Sequence, residues 1–94
     1  MTRAIWNGVV LAESDHTQIV EGNHYFPPDS IRRDYFSASD RHTTCAWKGQ
    51  ADYYHITAAG QTLRNAAWFY PNPKPAAANI RDHVAFYGPV TIEK

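Results

Sequence analysis

The sequence predicts a small, mainly β domain of about seven or eight short antiparallel strands, and three observations support this fold class. Short β-prone runs alternate with turn residues such as the Asn7-Gly8 pair, which strongly favours a tight hairpin. The chain has 94 residues, the length of one domain, so we expect residues 1–94 to fold as a unit. Three Trp, six Tyr and four Phe supply core mass, while the single cysteine allows no disulfide within the chain.

The first four predicted strands form an antiparallel meander. Asn7-Gly8 turns the chain between the first two strands, and Gly22-Asn23 reverses it before the fourth. These strands span residues 4–6, 9–14, 17–21 and 24–26.

A short helix is predicted after the fourth strand. The Pro27-Pro28 pair ends that strand, because proline has no N–H to donate to a ladder. Asp29 or Ser30 then serves as N-cap for one or two helical turns through residues 31–35.

The second half of the chain predicts a polar loop, further strands and a closing hairpin. We expect polar residues 37–44 to form the loop and the proline-rich segment 71–75 to lie on the surface. One helical turn is predicted over residues 76–80. The predicted strands span residues 51–57, 65–70, 82–87 and 90–93, the last two joined in a hairpin by Gly88-Pro89.

Composition excludes several function classes. Nine basic side chains balance nine acidic ones, so the chain has no net charge with which to attract nucleic acid or anionic lipid. No apolar run has the length of a signal peptide or a membrane span, and we expect a soluble, cytoplasmic protein without membrane association. One thiol is too few for the usual structural zinc sites, and the His42–Cys45 spacing supplies only two ligands. We therefore expect no metal and no cofactor.

Cys45 is the first candidate functional residue. A nearby ammonium such as that of Lys48 stabilises a thiolate, which would make Cys45 a catalytic nucleophile. Its partner would be Lys48 or a histidine, His55 or His83. The alternative is that Cys45 fills a gap in the core, since cysteine is among the most buried residue types.

Lys48 lies between Trp47 and Gly49, where a glycine lets the backbone approach a ligand closely. In a cleft, its ammonium would pair with a phosphate or carboxylate. Alternatively, its stem packs on the indole with the ammonium in water.

Aromatic side chains on neighbouring strands predict a ligand-binding cleft. Such rings stack on planar ligands or surround cations, although many of them must belong to the core. The candidate ligand-binding residues are Trp47, Lys48, Gly49, Tyr53, Trp68 and Tyr25.

Several motifs together resemble a known family, the domain of unknown function 427, over residues 7–87. The resemblance implies a β-tent, Mss4-like fold, in which two small antiparallel sheets are splayed around a cleft. The family also carries a nucleotidyltransferase label, which we disfavour. Such enzymes hold two metal ions with paired carboxylates, commonly Asp-x-Asp, near a Gly-Ser element that binds the phosphates. In this sequence no two aspartates are two residues apart, and Gly-Ser does not occur. The motifs are Tyr25-Phe26-Pro27-Pro28, Thr44-Cys45-Ala46-Trp47-Lys48-Gly49, Ala51 with Tyr53-Tyr54, Asn65-Ala66-Ala67-Trp68 with Tyr70-Pro71, and His83-Val84-Ala85-Phe86-Tyr87.

The leading functional hypothesis is a module that binds a small planar or anionic ligand in an aromatic, lysine-lined cleft. One alternative is an enzyme that uses Cys45 for covalent chemistry. Another is an interaction or scaffolding module whose edge strands or proline loop meet another chain. The sequence leaves the oligomeric state open.

Overall fold

A computed structural model describes all 94 residues and contains nine β-strands in three antiparallel sheets. The predicted mainly β, antiparallel fold class is confirmed, with three small sheets where two were expected. The strands are β1 (Thr2–Trp6), β2 (Val9–Ser14), β3 (Gln18–Val20), β4 (Asn23–Tyr25), β5 (Phe36–Cys45), β6 (Gly49–Ala58), β7 (Gln61–Phe69), β8 (Val84–Phe86) and β9 (Thr91–Glu93).

The first sheet has the order β2-β1-β9. Asn7 and Gly8 form the predicted β1–β2 turn with φ of 52° and 77°, the left-handed pair that a tight hairpin requires. The predicted hairpin between the last two strands is wrong, because β9 pairs with β1. One edge of β8 is occupied by β7, and Phe26 bridges to Val84 at its other edge.

The second sheet is the β3–β4 hairpin, with three residues in each strand. The predicted meander is wrong at this point, because β3 pairs only with β4 and not with β2. Phe26 and Val84 exchange two backbone hydrogen bonds of 2.8 Å, which attach the hairpin to β8.

The third sheet has the order β5-β6-β7-β8 and carries the candidate site. The predicted loop over residues 37–44 is wrong, since this segment lies within β5 and pairs with β6. Strand β5 is at the sheet edge and most of its side chains are exposed, so a polar sequence is compatible with the ladder. The β5–β6 register shifts between Ala38 and His42.

Short 3₁₀ segments replace the predicted helix after β4. They span Pro28–Ser30 and Arg33–Tyr35, and neither has a side-chain cap. Ile31 lies between them in an extended conformation, because it bridges to Ala12 of β2. A third 3₁₀ segment, Pro75–Ile80, coincides with the helical turn predicted from the sequence.

The core consists of two clusters of buried side chains. The first contains Ala4, Leu11, Ala12, Phe26, Ile31, Ile56, Ala58, Ala66, Ala67, Val84, Phe86 and Val90. The second contains Tyr25, Ala51, Tyr70, Ala77, Ile80 and Ala85, with Val20, Cys45, Tyr53 and Trp68 packed against it. No helix has the length and apolarity that crossing a bilayer requires.

Candidate functional site

A concavity of about 360 Å³ opens over the four-stranded sheet. Strand β5 contributes one side chain, β6 one and β7 three, and the last comes from the residue that follows β8. The lining residues are Arg41, Tyr53, Arg64, Asn65, Trp68 and Tyr87.

Tyr53 and Trp68 form the aromatic wall of this concavity. The two residues are directly opposite each other across β6 and β7, so their side chains project from the same face of the sheet. Their ring centroids lie 6.5 Å apart with an angle of 43° between the ring planes. The Thr43 hydroxyl lies 3.0 Å from the Tyr53 hydroxyl, which fixes the outer end of the phenol.

Asn65 occupies an irregular position in β7. Its φ of 52° is left-handed, and its backbone N–H donates to Nδ1 of His55 at 3.0 Å. The Ser39 hydroxyl donates to Oδ1 of Asn65. The amide nitrogen is the donor of the Asn65 side chain and is available to an acceptor in a ligand.

Two guanidinium groups give the concavity positive charge. Arg41 Cζ lies 5.3 Å from the centroid of the Tyr53 ring, in a cation–π contact. Neither Arg41 nor Arg64 forms an ion pair with a carboxylate. The cations that do are the N-terminus, Arg3, Arg32, His42 and Lys48. No aspartate or glutamate lines the concavity. This combination of flat rings and free guanidinium groups suits an anion that carries a planar ring.

The Lys48 ammonium lies outside the concavity, near the buried Tyr70 ring and the exposed Trp47 ring. Only 8% of its side chain is exposed, and Nζ pairs with Oε1 of Glu21, whose side chain is half-exposed. Nζ also lies 5.4 Å from the ring centroids of both Trp47 and Tyr70. The charge is therefore compensated within the chain.

The pKa values of Lys48, Glu21 and Tyr70 all depart from their ordinary values. Burial lowers the pKa of Lys48, but the hydrogen bond to Glu21 and the phenolic oxygens of Tyr25 and Tyr70 outweigh it and hold that pKa above its ordinary value. The hydrogen bond from Lys48 lowers the pKa of Glu21. Burial raises the pKa of Tyr70, against the opposing effect of the Lys48 ammonium. Lys48 is consequently charged at neutral pH, with Glu21 as its carboxylate partner.

The predicted ligand-binding residues thus fall into two groups. Tyr53 and Trp68 line the concavity, whereas the other four lie around the ion pair or in the core behind the aromatic wall. Tyr25 is fully buried, Lys48 is buried and Trp47 is 41% exposed. Gly49 is the first residue of β6, directly after the β5–β6 turn, with φ of 110°.

Cys45 lies opposite Gly49 at the end of β5 and packs against the second core cluster. Its thiol is free and partly exposed. The two histidines considered as its base are engaged elsewhere: Nδ1 of His55 accepts from Asn65, and Nδ1 of His83 lies 2.9 Å from the Arg81 carbonyl oxygen.

Sequence reasoning missed Arg41, Arg64, Asn65 and Tyr87. Arg41 lay in the predicted loop, Arg64 lay just before the predicted strand 65–70, and Asn65 was the first residue of that strand. The cross-strand register brings Arg41, Arg64 and Asn65 together, and it cannot be deduced from local sequence. Tyr87 had a local signal, because it ends the predicted alternating strand 82–87.

A second, smaller concavity of about 210 Å³ is lined by Gly22, Asn23, His24, Phe86, Ile92 and Lys94.

Comparison with known proteins identifies a family but no activity. A family model described as a domain of unknown function (DUF427) matches residues 1–93. No curated protein matches the chain. The function must therefore be argued from the site itself.

Proposed function

We propose that this chain, which belongs to the DUF427 family, is a binding module for a small planar anion. One observation supports the proposal above all: two aromatic residues, Tyr53 and Trp68, and two arginines, Arg41 and Arg64, line the same concavity. Flat apolar walls bind a ring, and arginine forks bind a carboxylate or phosphate.

The size of the concavity limits the ligand. Its volume of about 360 Å³ is near the lower end of the range typical of small-molecule sites. A ligand of one or two fused rings with a single anionic group suits that space. The ring would lie against Trp68, and the anion would face Arg64 and the Asn65 amide.

The proposal replaces Lys48 with two arginines as the source of positive charge. The anion-binding role that the sequence suggested for Lys48 is taken by Arg41 and Arg64, because the Lys48 ammonium already has Glu21 as its partner. The aromatic half of the predicted site, Tyr53 and Trp68, is retained.

A matched set of three compounds tests the proposal. Naphthoate is planar and anionic, naphthamide has nearly the same shape without charge, and cyclohexanecarboxylate has the charge without the planar ring. By NMR titration we expect naphthoate to bind with a Kd of about 1 mM, the range expected for a fragment of this size. The two partial analogues should bind at least about fivefold more weakly, since each loses roughly 1 kcal/mol of interaction.

Variants of the site give the second part of the test. Trp68→Leu should abolish naphthoate binding, and Arg64→Gln should remove the preference for naphthoate over naphthamide. Arg33→Gln is the matched control, because Arg33 is exposed on a 3₁₀ segment and does not line the concavity. Equal binding of all three compounds, or no binding of any, would contradict the proposal.

Fold group and location form part of the same proposal. The three small antiparallel sheets support assignment to the β-tent, Mss4-like group, which superposition of an experimental structure on β-tent domains would test. A free cysteine is compatible with the reducing cytoplasm, and fractionation of cells that express the protein would test that location.

Covalent chemistry at Cys45 and a scaffolding role remain predictions from the sequence. No observation in the site favours either over ligand binding. The alkylation experiment described in the Discussion tests the first, and light scattering of the purified protein, which reports self-association, tests the second.

A further inference from the structure

Two bulges, one on each side of β6, supply the polar side of the concavity. In β5, residues 39–41 lie opposite the single residue Tyr53. In β7, residues 64–66 lie opposite the single residue His55. The first bulge contributes one lining residue and the second contributes two. The geometry of the bulges therefore decides where these side chains lie.

His55 holds the bulge of β7 through a direct hydrogen bond. The backbone N–H of Asn65 donates to Nδ1 of His55 at 3.0 Å. A bulge disrupts the ladder locally, so a backbone N–H within it needs another acceptor. Asn65 also has a left-handed φ of 52°, a conformation that the surrounding structure must maintain. The imidazole thus stabilises an unfavourable backbone conformation at the edge of the concavity.

The same hydrogen-bond network extends to the bulge of β5. The Ser39 hydroxyl donates to Oδ1 of Asn65 and accepts the backbone N–H of Arg41 at 3.1 Å. Three hydrogen bonds therefore connect His55 through Asn65 and Ser39 to Arg41. Asn65 and Arg41 line the concavity, whereas His55 does not.

We propose that His55 is a positioning residue whose neutral ring holds Asn65 and Arg41 in the binding geometry and releases them when it is protonated. Because Nδ1 accepts the Asn65 N–H, it carries no proton, and the ring proton is on Nε2. In a protonated ring both nitrogens are donors, so the Asn65 N–H loses its acceptor. Histidine side chains gain this proton between about pH 8 and pH 5.

Strands β5 and β7 bring few charged residues toward His55. Its direct partner on β5 is Ser37, and the nearest charged residues of that strand in sequence are Asp40 and Arg41. On β7, the charged residue in the segment opposite His55 is Arg64.

The other neighbours of His55 belong to β6 and to a 3₁₀ segment. Tyr53 lies two positions away on β6, and the segment Arg33–Tyr35, which contacts β6, carries an arginine, an aspartate and a tyrosine. No ion pair of the chain includes His55. Protonation therefore gains no carboxylate partner in this structure and removes the acceptor of the Asn65 N–H.

The consequence for binding rests on the proposed function and has a definite sign. A positive charge added near the concavity would by itself strengthen the binding of an anion. Loss of the hydrogen bond acts in the opposite direction, because it releases the bulge that places Asn65 and Arg41. We expect the second effect to dominate, so that affinity falls as the pH falls.

The first test uses the ligand-free protein. His55→Asn places an amide oxygen near the position of Nδ1, where it accepts the Asn65 N–H but does not titrate. Hydrogen exchange of the Asn65 backbone amide, measured by NMR, should be similar in both proteins at about pH 7.5. At about pH 5.5 it should be about threefold or more faster in the wild-type protein than in His55→Asn at the same pH. Equal exchange at both pH values would overturn the positioning role.

The second test measures the Kd of naphthoate, whose carboxylate stays ionised above about pH 5. Between about pH 7.5 and pH 5.5 the wild-type Kd should rise about threefold or more, whereas the Kd of His55→Asn should stay constant. His42→Gln is the matched control, because His42 adjoins Arg41 in sequence but its Nδ1 pairs with Asp52 at 2.8 Å. This variant should keep the pH dependence of the wild-type protein.

The outcomes separate this inference from the proposed function. Tighter naphthoate binding at the lower pH, or the same pH dependence in His55→Asn as in the wild-type protein, would overturn the role of His55. If naphthoate does not bind the wild-type protein at either pH, the proposed function fails. Exchange of the Asn65 amide would then still decide whether His55 holds the bulge.

Discussion

Lys48 is the only charged side chain in the buried part of the chain, and its partners explain how the fold accommodates it. A buried ammonium without a partner is strongly destabilising. Glu21 supplies the opposite charge, and the Trp47 and Tyr70 rings add cation–π contacts. Lys48 therefore belongs to the structure of the domain as much as to any site.

The pH dependence of stability should reflect this ion pair. The pKa of Glu21 is lowered from its ordinary value of 4.5, so its contribution is present above that value and is lost as the pH falls through the folded pKa. The pKa of Lys48 is raised from 10.5, so its contribution persists below that value and is lost only at more alkaline pH. Denaturation curves should show no change from this pair between about pH 5 and pH 10.

The variant Glu21→Gln isolates the acid limb. It should lower stability at pH 7 and remove the part of the acid-induced loss that belongs to Glu21, as measured by urea denaturation at several pH values. Glu13→Gln is the comparison variant, because it breaks the partly exposed ion pair between Glu13 and Arg3 and leaves Lys48 paired. An unchanged acid limb in Glu21→Gln would show that the pair contributes nothing to folding.

Cys45 should react slowly with alkylating reagents in the folded protein. The ammonium that could stabilise its thiolate is engaged by Glu21, and the thiol packs against the second core cluster. We expect iodoacetamide to react with the native thiol more than about tenfold more slowly than with the same chain in denaturant. Rapid alkylation near neutral pH would instead support the prediction that Cys45 is a nucleophile.

At the scale of elements, the β5–β6 turn is held by the proline-rich loop. The Lys74 N–H donates to the Lys48 carbonyl oxygen at 2.9 Å, and Lys74 Nζ donates to the Ala46 carbonyl oxygen at 2.7 Å. A Cβ added to Gly49 would lie 3.4 Å from the Asn72 carbonyl oxygen. That distance is an ordinary van der Waals contact, so the positive φ of Gly49, rather than a lack of space beside it, is what requires glycine here.

Gly49→Ala and Gly60→Ala compare two positions with positive φ. The φ of Gly49, 110°, lies farther from the left-handed region that an L-residue can adopt than the 77° of Gly60. Gly60→Ala should cost about 1 kcal/mol of unfolding free energy and Gly49→Ala about 2 kcal/mol or more. Thermal denaturation measures both, and equal losses would show that the larger φ adds no strain.

The elements that sequence predicted correctly are those specified by local chemistry. The Asn7-Gly8 turn and the strand around Tyr53 follow from residue types and alternation within a few positions. The errors at β5 and β9 have a different cause. The polar β5 is a strand because its backbone pairs with β6. Strand β9 pairs with β1, which lies at the opposite end of the chain. Local pattern carries no information about such distant partners.

At the scale of the whole molecule, three small sheets are connected by few backbone contacts. The β3–β4 hairpin is too short to be stable alone and relies on the Phe26–Val84 bridge and on the Glu21–Lys48 pair. In native-state hydrogen exchange we expect β6 and β7 to be the most protected strands and the hairpin the least protected. Lys48→Met should increase exchange in the hairpin while leaving β1 and β2 unchanged, and uniform acceleration in all sheets would contradict this hierarchy.

The candidate site shows the same limit of sequence reasoning. Tyr53 and Trp68 were predicted because each lies in a recognisable alternating strand. Arg41 and Arg64 could not be predicted, since they join the concavity only through the register of three strands and through bulges in β5 and β7. The sequence made Lys48 a candidate because it is a lone cation beside aromatic residues. Its partner Glu21 is 27 residues away in sequence, so the ion pair could not be predicted from local pattern.

The most direct test of this account is the location of the bound probe. A ¹⁵N–¹H titration of the wild-type protein with naphthoate should perturb the backbone signals of Arg41, Arg64 and Asn65 and the indole signal of Trp68, with saturation at millimolar concentration. The β1–β2 hairpin should be unaffected. Perturbations confined to the second concavity around His24, or no saturable change at any of these positions, would contradict the claim that the sheet binds a planar anion.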